Sequence, residues 1–174
     1  MVTPCWKALF LASDPLPMTP LKLLALDDED LQVVSSHLQD AVVRVGDMAY
    51  VPSQKRFAAI LNRFDWESAT KDGKTYKRRR TALRFDRVLR AQHKDLQPEK
   101  PTRVLSLLAV KFEAGDAPSG TVTLFFSGDV LIQLDVECIE SELRDLGPAW
   151  PTRRKPEHPG EDAAGPKGPD AAGA

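Results

Sequence analysis

The stretch from Arg56 to Trp66, RFAAILNRFDW, constrains the fold of this chain more than any other. Phe57-Ala58-Ala59-Ile60-Leu61 is apolar at both alternating positions. Successive side chains of a strand point to opposite faces, so this half predicts a central β-strand covered on two sides. Asn62 to Glu67 instead interleaves polar and aromatic residues. One face can then stay buried while the other offers an amide, a guanidinium and carboxylates, which makes Asn62, Arg63, Asp65 and Trp66 the first candidate site residues.

The flanking segments read as layers laid against that strand. Leu21 to Leu26 has strand length, and Asp27 to Ala41 switches to helical spacing, with Leu31, Val34, Leu38 and Ala41 on one stripe. Asp27 can cap this helix while Asp28, Glu29 and Asp30 fill its first turn, where carboxylates interact favourably with the helix dipole. Val42 to Val51 returns to extended character around a bulge or tight turn at Gly46-Asp47, and Pro52 to Lys55 is a hairpin loop into the central strand. Asp72-Gly73 marks a turn. Tyr76 to Ala91 alternates as one long strand with a wet, basic face, and Val104 to Phe112 is an internal strand. Thr121 to Phe126 and Val130 to Val136 form a hairpin about Ser127-Gly128-Asp129. Ile139, Leu143 and Leu146 are spaced for a closing helix that ends at Gly147-Pro148.

These elements predict an α+β domain over residues 18–150: one mostly antiparallel sheet of six or seven strands, covered by two helices. A coiled, barrel-like version closed by the final helix would be analogous to a pleckstrin-homology-type module, an analogy of fold that licenses no ligand. Residues 1–17 read as a flexible extension, with Met18 a second candidate start beside Met1. Residues 151–174, rich in Pro, Gly, Ala and charge, read as a disordered tail.

Charge is unevenly laid out. The whole chain carries a formal net charge of -1, yet Lys71 to Arg90 holds nine basic residues against Asp72 and Asp86, about +7. Arg78, Arg80 and Arg84, together with Arg63, can form a surface for phosphates or a carboxylate-bearing partner. The opposing reading pairs these arginines with acids on adjacent strands, Asp65, Asp135 and Glu137 among them. Nucleic acid is disfavoured, because a single basic strand supplies neither a groove-reading helix nor an exposed aromatic platform.

Chemistry has little footing. His37, His93 and His158 fall on a helix, a loop and the tail, so no pair has metal-ligand spacing, and the acids of the first helical turn splay apart rather than converge. No nucleophile elbow, phosphate loop or dinucleotide fingerprint occurs. We therefore expect no catalytic residues, no metal and no cofactor. With Cys5 and Cys138 the only cysteines and no apolar run of membrane-spanning length, a reducing cytoplasm fits best. Cys138 reads as a packing residue.

From Leu21 to Trp150 the segments LKLLALDDEDL, LQDAV, RFAAILNRFDWE, RRRTALRFDRV, SLLAVKFE and LDVECIESELRDLGPAW resemble a bacterial domain-of-unknown-function family of small cytoplasmic proteins. The resemblance implies a core ending near Trp150 and brings no activity with it. The functional expectation is a non-enzymatic binding or protein-interaction module working through the basic strand, with an unknown protein, an anionic partner or a second copy as partner. The alternative is a small-molecule or anion-binding protein, or an enzyme, with its site around Asn62, Arg63 and Asp65. A broad exposed face would favour the first and a concave pocket with converging polar groups the second.

Overall fold

The computed structural model describes residues 20–66 and 76–152. Ten strands and one helix follow in the order β1 (Lys22–Ala25), α1 (Asp28–Leu38), β2 (Ala41–Val51), β3 (Arg56–Phe64), β4 (Tyr76–Phe85), β5 (Val88–Lys94), β6 (Val104–Ala114), β7 (Gly120–Phe126), β8 (Leu131–Val136), β9 (Ser141–Asp145) and β10 (Trp150–Thr152). A single 3-10 turn, Pro52–Gln54, joins β2 to β3. The expected Asp72-Gly73 turn, Cys5, His158 and nearly all of the two terminal extensions lie outside the described residues.

Every pairing is antiparallel, in the order β1-β9-β4-β3-β2-β6-β7-β8-β5, with β10 beside β4. Only Asp86 and Arg87 separate β4 from β5. A path that leaves β4 through β3, β2, β6, β7 and β8 therefore returns to the same length of chain, and the sheet curls into a barrel whose ends meet through the β4–β5 bend rather than through a strand ladder. The closure bends sharply. Arg87 adopts a positive φ of 62°, and the bend is matched across the ladder: the Glu137 N–H donates to the Arg87 carbonyl and the Asp86 N–H to the Glu140 carbonyl. Expected as one long strand, Tyr76 to Ala91 is thus two strands turned by a residue in the left-handed region.

The two-helix cover is wrong at its second helix. Ser141–Asp145 is β9, paired with both β1 and β4, and among the described residues no helix closes the barrel. The helical spacing of Ile139, Leu143 and Leu146 was a coincidence of apolar residues. The working pattern has period two, with Ser141, Leu143 and Asp145 buried between exposed or half-exposed neighbours. Two of those three inward residues are polar, which hides the alternation from a hydropathy reading. The chain is accordingly dominated by antiparallel sheet with α1 as its single α-helix among the described residues.

That helix forms where expected. The Asp27 carboxylate accepts from the Asp30 N–H at 2.8 Å, and Leu31, Val34 and Leu38 are buried toward the sheet. Its Ser35 hydroxyl accepts the Val110 N–H of β6 at 2.9 Å. Inside the barrel, Phe57, Ala59, Leu61, Leu83, Phe85, Leu105, Leu107, Val122, Leu124, Ile132, Leu134 and Leu143 make one continuous core. Removing such side chains from water contributes about 1.5–3 kcal/mol each. β3 is central between β2 and β4; its inward parity is buried, and on the other parity Ala58, Ile60 and Asn62 are half-exposed while Phe64 is buried. The register of β2 on β3 shifts between Val43 and Met48, around Gly46-Asp47.

Candidate functional site

Strand register sorts the polar residues of β3, β4 and β9 onto two faces. On the inward face, Ala59, Leu83 and Leu143 lie side by side, and the next row brings Leu61, Thr81 and Asp145 together. One row further, Arg63 sits opposite Arg79. Two guanidinium groups therefore enter the closed end of an apolar core, which is tolerable only if acids neutralise them.

The acids come from far along the chain. Arg63 grips Asp145 with both arms, Nε to Oδ1 at 2.9 Å and Nη2 to Oδ2 at 2.8 Å. Arg79 Nε donates to Asp65 at 2.9 Å and lies 3.9 Å from Asp145. The Thr81 hydroxyl and the Leu21 N–H complete the shell of Asp145 at 2.8 and 3.0 Å. Burial alone would push the Asp145 carboxyl up, but Arg63, Thr81 and Leu21 outweigh it and hold the group below the usual aspartate range. Arg63, Asp65, Arg79 and Asp145 are all buried. Arg63 and Asp65, expected as groups offered to a ligand, are instead partners in this internal network.

The outward face differs. Arg84 is committed to Asp86 at 2.8 Å and Glu142 at 3.0 Å. Arg78 lies over the Phe64 ring and donates to the Asn62 carbonyl at 3.2 Å; burial lowers its pKa, opposed by Asp40. Trp66 is half-buried, with its ring centroid 4.4 Å from that of Phe64. Arg80 is exposed and makes no ion pair among the described residues. With Arg44 and Asn62 it lines a groove of about 360 Å³ shared with Val42, Ile60 and Val104, with Asp47 as the one acid present. Beside the groove, Arg144 of β9 lies opposite Ala82, one outward step from Arg80, and directly faces Lys22 of β1. Like charges opposed across strands are unfavourable, yet neither has an acidic partner among the described residues.

Of the sequence-derived residues, the groove keeps Asn62 and Arg80 and adds Arg44, while Arg144 and Lys22 follow on the neighbouring strands of the same face. Arg144 was hidden by the helical reading of its segment: once 141–145 is a strand, its parity opposite to Leu143 sends it outward. Two of the acids expected to pair with Arg63, Arg78, Arg80 or Arg84 take other partners: Asp135 pairs with Arg90 and Glu137 with Arg87.

A family model described as "Protein of unknown function (DUF2948)" matches residues 21–158, most of the chain. The chain belongs to that family. No curated protein and no solved structure matches it.

Proposed function

We propose that this member of the DUF2948 family is a non-enzymatic interaction module that holds an acidic partner against the outer face of β9, β4, β3 and β2. The observation that carries the reading is the different treatment of arginines on one sheet. Those facing inward are neutralised by acids brought from up to 82 residues away, and Arg84 is held by two carboxylates. Arg80, Arg44, Arg144 and Lys22 stand together on a shallow surface with no such neutralisation. A guanidinium recognises a carboxylate or phosphate with two parallel hydrogen bonds, and several of them spread over adjacent strands favour an extended acidic surface over a single ion. Asn62 adds an amide within the same groove. The reading extends the sequence-based expectation for Arg80 and Asn62, and gives Arg78 and Trp66 the role of supports.

We also place the protein in a bacterial cytoplasm. Support comes from its sparse cysteines, which fit a reducing compartment.

The test is capture from a native lysate by the full chain and by its Arg80→Glu/Arg144→Glu variant, followed by titration of the captured partner in rising salt. The wild type should bind with affinity that falls steeply as salt screens the contact, and the variant should lose at least tenfold. Equal capture by both proteins would remove the basic face from the function.

A further inference from the structure

The barrel wall is incomplete along one seam. β2 pairs with β6 only over Ala41–Arg44, after which Val45 and Gly46 donate to the carbonyls of Arg103 and Pro101. From Asp47 to Val51 that edge of β2 meets neither β6 nor this loop. β5 ends the hydrogen-bonded path and is bonded to β8 on one side. Its other side is tied down only at the start: the Val88 N–H donates to the Lys55 carbonyl, and the Tyr50 hydroxyl donates to the Leu89 carbonyl at 2.9 Å. Arg90 to Lys94 therefore present an unextended strand edge.

Two cavities meet at that edge. The inner one, about 390 Å³, reaches the core and is walled chiefly by Met48, Tyr50, Phe57, Leu96, Pro98 and Ile132. The outer one, about 510 Å³, is bounded by Lys94, Leu131 and Gln133; Ala91, Gln92 and His93 line both. Register assigns the faces. Ala91 and His93 oppose the buried Leu134 and Ile132, whereas Gln92 and Lys94 oppose Gln133 and Leu131 on the outside. The wall of the inner cavity is held under strain, since Asp95 and Gln97 both take φ of 57° in setting Leu96 and Pro98 against it. Such conformations in non-glycine residues gather at ligand clamps.

We propose that this seam is a strand-addition site for an extended peptide in which apolar residues alternate with acidic ones. An added strand takes main-chain hydrogen bonds from the edge and drops successive side chains to opposite faces. Here one set enters the apolar inner cavity and the other meets the outer groove. Charge decides the outer set: Lys94 has no acidic partner among the described residues, and Lys111 lies over the ring of Phe125, the residue paired with Leu131 on that outer face. Arg90 is already satisfied by Asp135. The site is separate from the basic face of β4 and stands without it.

The experiment titrates the full-length chain with fluorescent seven-residue peptides alternating valine with glutamate, alternating valine with lysine, or scrambled, and follows anisotropy together with amide exchange at residues 90–94. The valine–glutamate peptide should bind at least tenfold more tightly than the other two and slow exchange at those amides. Lys94→Glu, an exposed change, should reverse the preference between the charged peptides, and Lys94→Ala should abolish it. The Arg80→Glu/Arg144→Glu variant should bind as wild type; loss there would put the peptide on the basic face and overturn the proposal. It would equally be overturned by no binding at millimolar peptide, by a preference indifferent to residue 94, or by a dimer in sedimentation that Lys94→Glu dissociates.

Discussion

Arg79 and Arg80 are consecutive in the chain and live in opposite environments. Arg79 points into the barrel and donates to Asp65 beside the Arg63–Asp145 pair; Arg80 points out into a groove shared with another arginine. The difference shows that charge on this strand is not one property. Its inward half replaces a hydrophobic plug by a closed set of ion pairs, whose worth lies in being complete, because removing one member strands another in a medium that cannot solvate it. On its outward half Arg78 and Arg84 are engaged, and Arg80 is exposed, costs the fold little, and is available to something else.

The comparison is broken most severely from inside. Asp145→Ala should destabilise the protein by about 3–5 kcal/mol, since Arg63 would keep its charge and lose both acceptors. Chemical denaturation at neutral pH measures this. Arg63→Met with Asp145→Leu, which removes both charges, should recover much of the loss; a double variant as unstable as the single one would mean that shape rather than charge holds this end together.

Acid probes the same pair without mutation. The folded carboxyl of Asp145 titrates below its ordinary value, so its contribution is intact above the usual aspartate pKa of about 3.9 and is lost as pH falls from there through the depressed folded value. Wild-type stability should drop across that window. A parallel drop in Asp145→Asn would assign the acid sensitivity elsewhere.

The smallest expected effects sharpen the outward side. Arg84→Glu faces Asp86 and Glu142 and should cost about 1 kcal/mol, within the usual range for opposed charges on strands. Arg80→Glu should stay within about 0.5 kcal/mol, as exposed substitutions do. Thermal melts of the two variants side by side settle whether the structure distinguishes the two arginines as described.

Much of this architecture is legible locally. The Asp27 cap, the Ser127-Gly128-Asp129 hairpin and the bulge near Gly46 are signals carried by a few adjacent residues, and each appears at its place. The inward network is not legible, because a buried arginine is written like an exposed one until its partner is known, and Asp145 lies 82 residues beyond Arg63. The same fact cost the reading of β9. With Ser141 and Asp145 as inward residues, the segment showed its apolar side chains only at Ile139, Leu143 and Leu146, and a helix was the nearest periodicity that fitted them. The groove was half legible: the parity of Tyr76 to Ala91 put Arg80 outside, whereas Arg44, Arg144 and Lys22 join it only through cross-strand neighbours.

The long reach between Arg63 and Asp145 also bears on how the polypeptide matures as it is made. Chains leave the ribosome at roughly 5–20 residues per second. Arg63 is thus exposed to water for several seconds before the carboxylate that lets it enter the interior has been synthesised, whereas Asp65, the partner of Arg79, is already in the chain. Until then the first strands can pair through their apolar rows, but the end of the barrel holding the two arginines must stay open and wet. Closure becomes a late event, coupled to the arrival of β9 and to the docking of Leu21 on the same aspartate across 124 residues. Contacts of such sequence separation make for slow folding, and a nascent fragment lacking residue 145 has no acid with which to bury Arg63.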